Sequence, residues 1–237
     1  MNFKCTLLIL LLGGASTQVK AQLFSQNFDK TDKLSKYVSG KPDAGQFNIA
    51  DAADPATIAI EKGKLKLIRT GPGGRPFIVR TTPLGSKTEF VQFSFKLQAK
   101  ASGDAMAYLA IGDGFNDQAV PDDAQKTAVR LIFKLQADGF VIRNTQQQTD
   151  GTGKHTGEQQ LTWVINRSGK EQKYTAPDGS QATIANQKWD LWVNNKQEFK
   201  DAQFTNTAQP LANFKFSFLS SLGEITLDDL LIKDLAN

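Results

Sequence analysis

Val129-Arg130-Leu131-Ile132-Phe133-Lys134-Leu135, then Ala137-Asp138-Gly139, then Phe140-Val141-Ile142-Arg143: this stretch decides the fold. Apolar residues recur at every second position, the period of an extended strand with one buried face. Two such runs around an Asp-Gly pair read as a β-hairpin.

Outward from this hairpin the pattern repeats. Thr57-Ile58-Ala59-Ile60 and Leu65-Lys66-Leu67-Ile68 flank Glu61-Lys62-Gly63-Lys64, a second hairpin. Phe77-Ile78-Val79-Arg80 follows the Gly- and Pro-rich turn from Gly71 to Pro76, and Phe93-Ser94-Phe95-Lys96-Leu97 alternates without a break. Leu161 to Ile165, Trp189 to Val193, Phe214 to Phe218 and Ile225 to Ile232 continue the series. No long stretch carries a helical period, although residues 30–37 suit one short helical turn. No linker, charge block or internal repeat divides the chain. The expected fold is all-β: one two-sheet antiparallel sandwich over residues 22–237, with roughly 10–14 strands.

Alternation also assigns the faces. Phe93, Phe95 and Leu97 share one, as do Leu131, Phe133 and Leu135, and Phe214, Phe216 and Phe218. These should fill the space between the sheets. Ser94, Lys96, Arg130, Lys134, Lys215 and Ser217 should face outward.

The first residues read differently. Lys4 precedes the apolar run Cys5 to Leu12, small residues follow, and Val19-Lys20-Ala21 offers a cleavage site. This is the order of a secretory signal, and the run is shorter than the roughly 20 apolar residues of a membrane span. Residues 1–21 are therefore expected to be removed on export to a secreted or periplasmic location. The formal charge of +4 then falls by two, because Lys4 and Lys20 leave and no acid does. The single cysteine leaves as well, so packing alone must hold the mature domain together. So weak a charge, without a basic cluster, argues against nucleic acid as a partner. One cysteine excludes a disulfide framework, and one histidine argues against chemistry that needs two.

Four stretches together resemble the concanavalin A-like lectin/glucanase superfamily, in its bacterial secreted laminin-G-like branch. They are Phe24-Ser25-Gln26-Asn27-Phe28-Asp29, Tyr174-Thr175-Ala176-Pro177-Asp178-Gly179, Trp189-Asp190-Leu191-Trp192-Val193-Asn194-Asn195 and Ile225-Thr226-Leu227-Asp228-Asp229-Leu230. The resemblance implies a jelly roll with one sheet curved into a concave face. It also implies glycan binding or polysaccharide cleavage by a hydrolase or lyase; a structural surface protein is a further alternative, outside the resemblance.

The hydrolases of that superfamily place paired carboxylates on one strand as Glu-x-Asp-x-x-Glu. Retaining cleavage needs two such groups about 5–5.5 Å apart. None of Glu61, Glu89, Glu158, Glu171, Glu198 and Glu224 has an acid two residues on. The lyases use a Gln-x-His strand, whereas His155 sits in the Gly-rich segment Asp150 to Gly157 and reads as a solvated loop residue. Carbohydrate binding on the concave sheet is therefore the leading expectation, with the enzyme and the structural protein as alternatives.

Sugar sites pair a stacking ring with polar groups that fix orientation. Alternation puts Trp189, Leu191 and Val193 inside and Asp190 with Trp192 outside. Trp192 is thus the candidate exposed platform, and Asp190, Arg80, Lys96, Arg130 and Lys134 are candidate ligand-binding partners, with Lys215 on the same polar face. An ordinary solvated sheet face explains the same lysines. The resemblance further implies a structural calcium between the first and last strands, with Asp29 and Asp228 as ligands. Asp113, Asp117, Asp122 and Asp123 form a second, weaker acidic group.

Overall fold

The computed structural model describes residues 21–85, 88–118 and 124–236. Apart from Ala21, the expected leader lies outside these residues, as do Asp122 and Asp123.

Two antiparallel sheets carry the chain. The first runs β16 (Lys196–Gln203), β15 (Lys188–Val193), β12 (Gln159–Asn166), β6 (Phe90–Ala101), β18 (Gly223–Asp234), β4 (Lys64–Arg69), β3 (Ala56–Glu61), with β1 (Gln22–Gln26) also beside β18. The second runs β10 (Thr149–Asp150), β9 (Gly139–Asn144), β8 (Thr127–Gln136), β7 (Ala105–Gly112), β17 (Asn213–Ser220), β5 (Phe77–Arg80), β2 (Ile49–Asp51), with β11 (His155–Thr156) also beside β9. A separate hairpin joins β13 (Gln172–Thr175) to β14 (Gln181–Ile184). The expected all-β sandwich is the observed one. The helical turn expected near residues 30–37 is a single 3-10 turn, Leu34–Lys36.

Both hairpins read from the sequence form. In the β3–β4 turn Lys62 and Gly63 take φ of 52° and 71°, the left-handed pair that matches the twist of a two-residue connection. In the β8–β9 turn Gln136 pairs with Gly139, so Ala137 and Asp138 make the bend. Gly139 is there for close approach instead. A Cβ on it would strike the His155 carbonyl of β11, which passes against it.

The last strand lies in the middle of the first sheet. β18 pairs with β6 along its length, with β4 from Gly223 to Leu227, and with β1 from Leu230 to Lys233. The switch of neighbour falls at a bulge between Asp228 and Leu231, where Asp229 takes φ 48°. An extra residue there bends the strand away from one partner and toward the next.

The core is the expected phenylalanine layer. Phe93 meets Phe214 at 5.4 Å between ring centroids, Phe95 meets Phe133 at 6.4 Å, and Phe133 meets Phe216 at 5.9 Å. Buried ring-to-alanine changes in such a layer cost about 3–5 kcal/mol. Two inward-facing arginines cap it, Arg69 over Phe218 and Arg80 over Phe24.

The outer faces are less open than alternation suggests. Phe90, Val164, Tyr174, Ala176, Ile184, Trp192 and Leu235 form a second apolar cluster where the β13–β14 hairpin lies on the first sheet. Phe77, Val79, Tyr108, Ala110 and Phe115 form a third on the outside of the second sheet.

Candidate functional site

The expected platform is the first correction. Trp192 does face outward from β15, but the hairpin covers it and leaves it 6% exposed. Its Nε1–H donates to the Tyr174 hydroxyl at 3.0 Å, and that hydroxyl donates to Asp190 Oδ2 at 2.5 Å. Asp190 is fully buried, and its Oδ1 accepts the Asp201 backbone N–H at 2.7 Å. Burial raises the Asp190 pKa above the usual carboxylate value, against the pull of the Tyr174 hydrogen bond. Burial, reinforced by Asp190, also raises the Tyr174 pKa. Trp192 and Asp190 hold the hairpin down and present nothing to a ligand. Two of the motifs that carried the resemblance, the Tyr174 stretch and the Trp189 stretch, thus occur together because they are two halves of one packing unit.

The basic candidates do not share a face with Trp192, except Lys96. Arg80, Arg130 and Lys134 belong to the second sheet. Arg80 is 4% exposed and donates through Nη1 to the Asp43 and Gln46 carbonyls, each at 2.6 Å. It is a brace for the 43–46 turn. Arg130 lies over the Tyr108 ring and donates to Thr127 Oγ1 at 3.2 Å. Lys215 is fully buried, over Phe77, with Nζ 2.8 Å from Asn116 Oδ1. Lys134 pairs with Asp150 at 2.8 Å and Lys96 with Asp229 at 2.7 Å. A single cationic groove is therefore not what these residues make.

Asp29 and Asp228 fare no better as a calcium pair. Calcium takes six to eight oxygens. Asp29 Oδ2 accepts the Asn27 amide, and Asp228 Oδ1 accepts the Asp229 N–H. The positive charges of Lys64 and Lys96 already act on Asp228, a poor setting for a further cation. Among the described residues no three His, Cys, Asp or Glu side chains converge as a metal site. The residues present do not fit the ion.

The bulged end of β18 instead borders a groove of about 630 Å³. Its walls are polar. Gln22, Ser25, Lys30, Lys36, Asp43 and Asp229 line it, together with Gln26, Asn27 and Gln46. Local bonding fixes the walls: Asp43 Oδ1 takes the Gly45 N–H at 2.7 Å, Gln46 Nε2 donates to the Lys36 carbonyl at 3.0 Å, and the buried Gln26 amide donates to Gly45 and accepts from Phe28 N–H. Tyr37 lies beneath, 1% exposed, its hydroxyl donating to backbone carbonyls, so no ring is offered for stacking. Amides, carboxylates and ammonium groups around one concavity suit a ligand rich in hydroxyls.

A second groove of about 470 Å³ contains a group the sequence did not single out. Glu198 of β16 is buried, yet its Oε1 accepts the Thr152 N–H at 2.8 Å and faces His155 Nε2 at 3.2 Å, and its Oε2 accepts the Thr152 hydroxyl at 2.7 Å. Burial alone would raise its pKa; the His155 and Thr152 contacts outweigh that and lower it. The carboxylate fastens β16, an edge of the first sheet, to the 152–156 segment on the second. His155 is thus part of a short strand and half-buried against Glu198, not a solvated loop residue. Asn194, Asn195 and Lys196 rim the same groove.

No protein-family model matches the sequence, and no curated protein does. Solved structures do match the fold. The carbohydrate recognition domain of Emp46p, in a potassium-bound form, superposes with a TM-score of 0.57 at 8% identity, over 91% of this chain and 98% of that one. A carbohydrate esterase of a Shiga toxin-encoding bacteriophage gives 0.55 at 9% identity, over 92% and 100%. A sialidase gives 0.56 at 11% identity, over 78% of this chain but 17% of the sialidase, so the likeness spans a small part of that enzyme. At such identities the likeness is one of fold: the chain shares the two-sheet antiparallel β-sandwich of these domains.

Proposed function

We propose that this protein is an exported glycan-binding sandwich, and that the groove between β1, the 43–46 turn and the β18 bulge is where it holds sugar. One observation carries the reading: that groove is lined by unstacked, hydrogen-bonding side chains on a backbone that short local bonds fix in place. A pre-formed polar concavity loses little freedom on binding. The carbohydrate recognition domain and the carbohydrate esterase among the matched structures support a sugar ligand. Export rests on the leader pattern of residues 1–21.

The test is affinity electrophoresis of the protein through gels cast with neutral and acidic polysaccharides. The wild type should be retarded by at least one. A Lys36→Ala and Asp229→Asn double variant should lose about tenfold in affinity, as expected when polar contacts of roughly 1.4 kcal/mol in sum are removed. Undiminished retardation of the double variant would move the site elsewhere. Cleavage of a retarding polysaccharide, seen as new reducing ends or unsaturated uronates, would replace binding by catalysis. No retardation in any gel would favour a structural role. Export is checked by the mass of the mature protein, expected to begin at Gln22.

A further inference from the structure

The two arginines that cap the core are not equivalent. Arg80 has two carbonyl partners on Nη1 and lies near Asp43, which favours its charge. Arg69 is as deeply set, 6% exposed, but has one partner among the described residues, the Gly73 carbonyl, 2.6 Å from Nη2. Its Nε and Nη1 are buried without a hydrogen-bond partner among those residues. The charge that acts on it is of the same sign, from Arg75, and together with burial it lowers the Arg69 pKa. A buried guanidinium with an unbalanced charge and two nitrogens without an acceptor is costly unless something anionic completes it.

The surroundings leave room for such a group. Arg69 and exposed Arg75 line one groove of about 480 Å³, between Gly71-Pro72-Gly73 and the turn from Leu219 to Leu222. The glycines are dictated from behind. A Cβ on Gly71 would press on Pro55 at 2.8 Å, and one on Gly74 would run into the Ala53 carbonyl. Pro72 and Leu219 line the same groove, so its cationic groups are Arg69 and Arg75.

We propose that Arg69, Arg75 and the 71–74 loop form an oxyanion site, which takes a sulfate or carboxylate group. The Gly73 carbonyl holds the place of one ligand oxygen at Nη2. An oxyanion makes first contact with Arg75, displaces that carbonyl, and bonds the guanidinium through two parallel N–H groups, the geometry that arginine offers to such ligands. This site is separate from the polar groove, which borders the other end of β18, and it does not depend on the glycan proposal.

The test is thermal unfolding of the whole protein in sodium sulfate against sodium chloride at matched ionic strength, repeated with glucuronate against glucose. Sulfate stabilises proteins generally by exclusion from their surface, an effect that does not saturate and is common to all variants. The site adds a saturating rise in Tm that wild type and Lys36→Ala share and that Arg75→Ala and Arg69→Met lack. Without added anion Arg69→Met should melt no lower than wild type, since it removes an unbalanced buried charge in favour of an apolar isostere. A glucuronate response with none to glucose assigns the site to a sugar acid; a sulfate response alone assigns it to a sulfate group. Equal Tm rises in all four proteins, no rise in any, or a marked fall in Arg69→Met with sulfate still acting on Arg75→Ala would overturn the proposal.

Discussion

Asp190 and Glu198 are both buried acids of the first sheet, on neighbouring strands, and their pKa values move in opposite directions. Asp190 lies under the β13–β14 hairpin, with one hydroxyl and one backbone N–H as donors and Asp201 as a nearby like charge; its pKa is raised. Glu198 lies at the sheet edge beside a groove, with a hydroxyl, a backbone N–H and a histidine; its pKa is lowered. Depth does not set the sign. The balance of donors against desolvation does.

Removing each acid should break the pair most visibly. Asp190→Ala leaves the Tyr174 hydroxyl and the Asp201 N–H without their acceptor, in a place water does not reach. The expected loss is about 3–4 kcal/mol in urea unfolding. Glu198→Ala leaves one donor more, but the adjoining groove admits water to them, so about 1–2 kcal/mol is expected by the same assay. Equal losses would show that access to water is not what separates the sites.

Acid titration sharpens the comparison further. Glu198 has a folded pKa below its ordinary 4.5, so its contribution is present above that value and is lost as pH falls through the folded pKa. Asp190 has a folded pKa above its ordinary 3.8, so the folded state binds that proton more tightly; its contribution is present below 3.8 and is lost as pH rises through the folded pKa. The two slopes oppose each other in the wild type. Unfolding free energy measured down to about pH 3 should therefore fall more steeply in Asp190→Asn than in wild type, and less steeply in Glu198→Gln. The smallest effect expected is that of His155→Gln, which keeps a donor toward Glu198: within about 1 kcal/mol of wild type, with a weaker acid slope. A loss as large as that of Glu198→Ala would make the histidine, not Thr152, the main partner.

The sheets and the core were legible because strand period is a local signal. Phe93, Phe95, Leu97, Leu131, Phe133 and the 214–218 run lie inside as their spacing predicts. Alternation correctly turned Trp192 and Asp190 outward, but it carries no information about what lands on an outer face. The hairpin that covers them begins with Gln172, and its Tyr174 was in plain view as a motif without a visible target. Glu198 had no local signal at all, since its partners Thr152 and His155 lie 46 and 43 residues away. Arg80 and Arg69 look like surface charges at strand ends until the sandwich places those ends over Phe24 and Phe218.

The position of β18 has a consequence for how the protein comes into being. Among the described strands synthesis delivers β18 last, yet β6, β4 and β1 all pair with it. Until β18 leaves the ribosome, the first sheet is three pieces, β16–β15–β12–β6, β4–β3 and β1 by itself, and Phe24 and Phe93 have no closed core to enter. Folding must wait for β18, and pairing between strands as distant in sequence as β1 and β18 makes it slow. Deleting residues 223–236 should therefore abolish the fold rather than trim it. Under the export proposed above that delay is an asset, because it keeps the nascent polypeptide unfolded for as long as passage through a membrane requires.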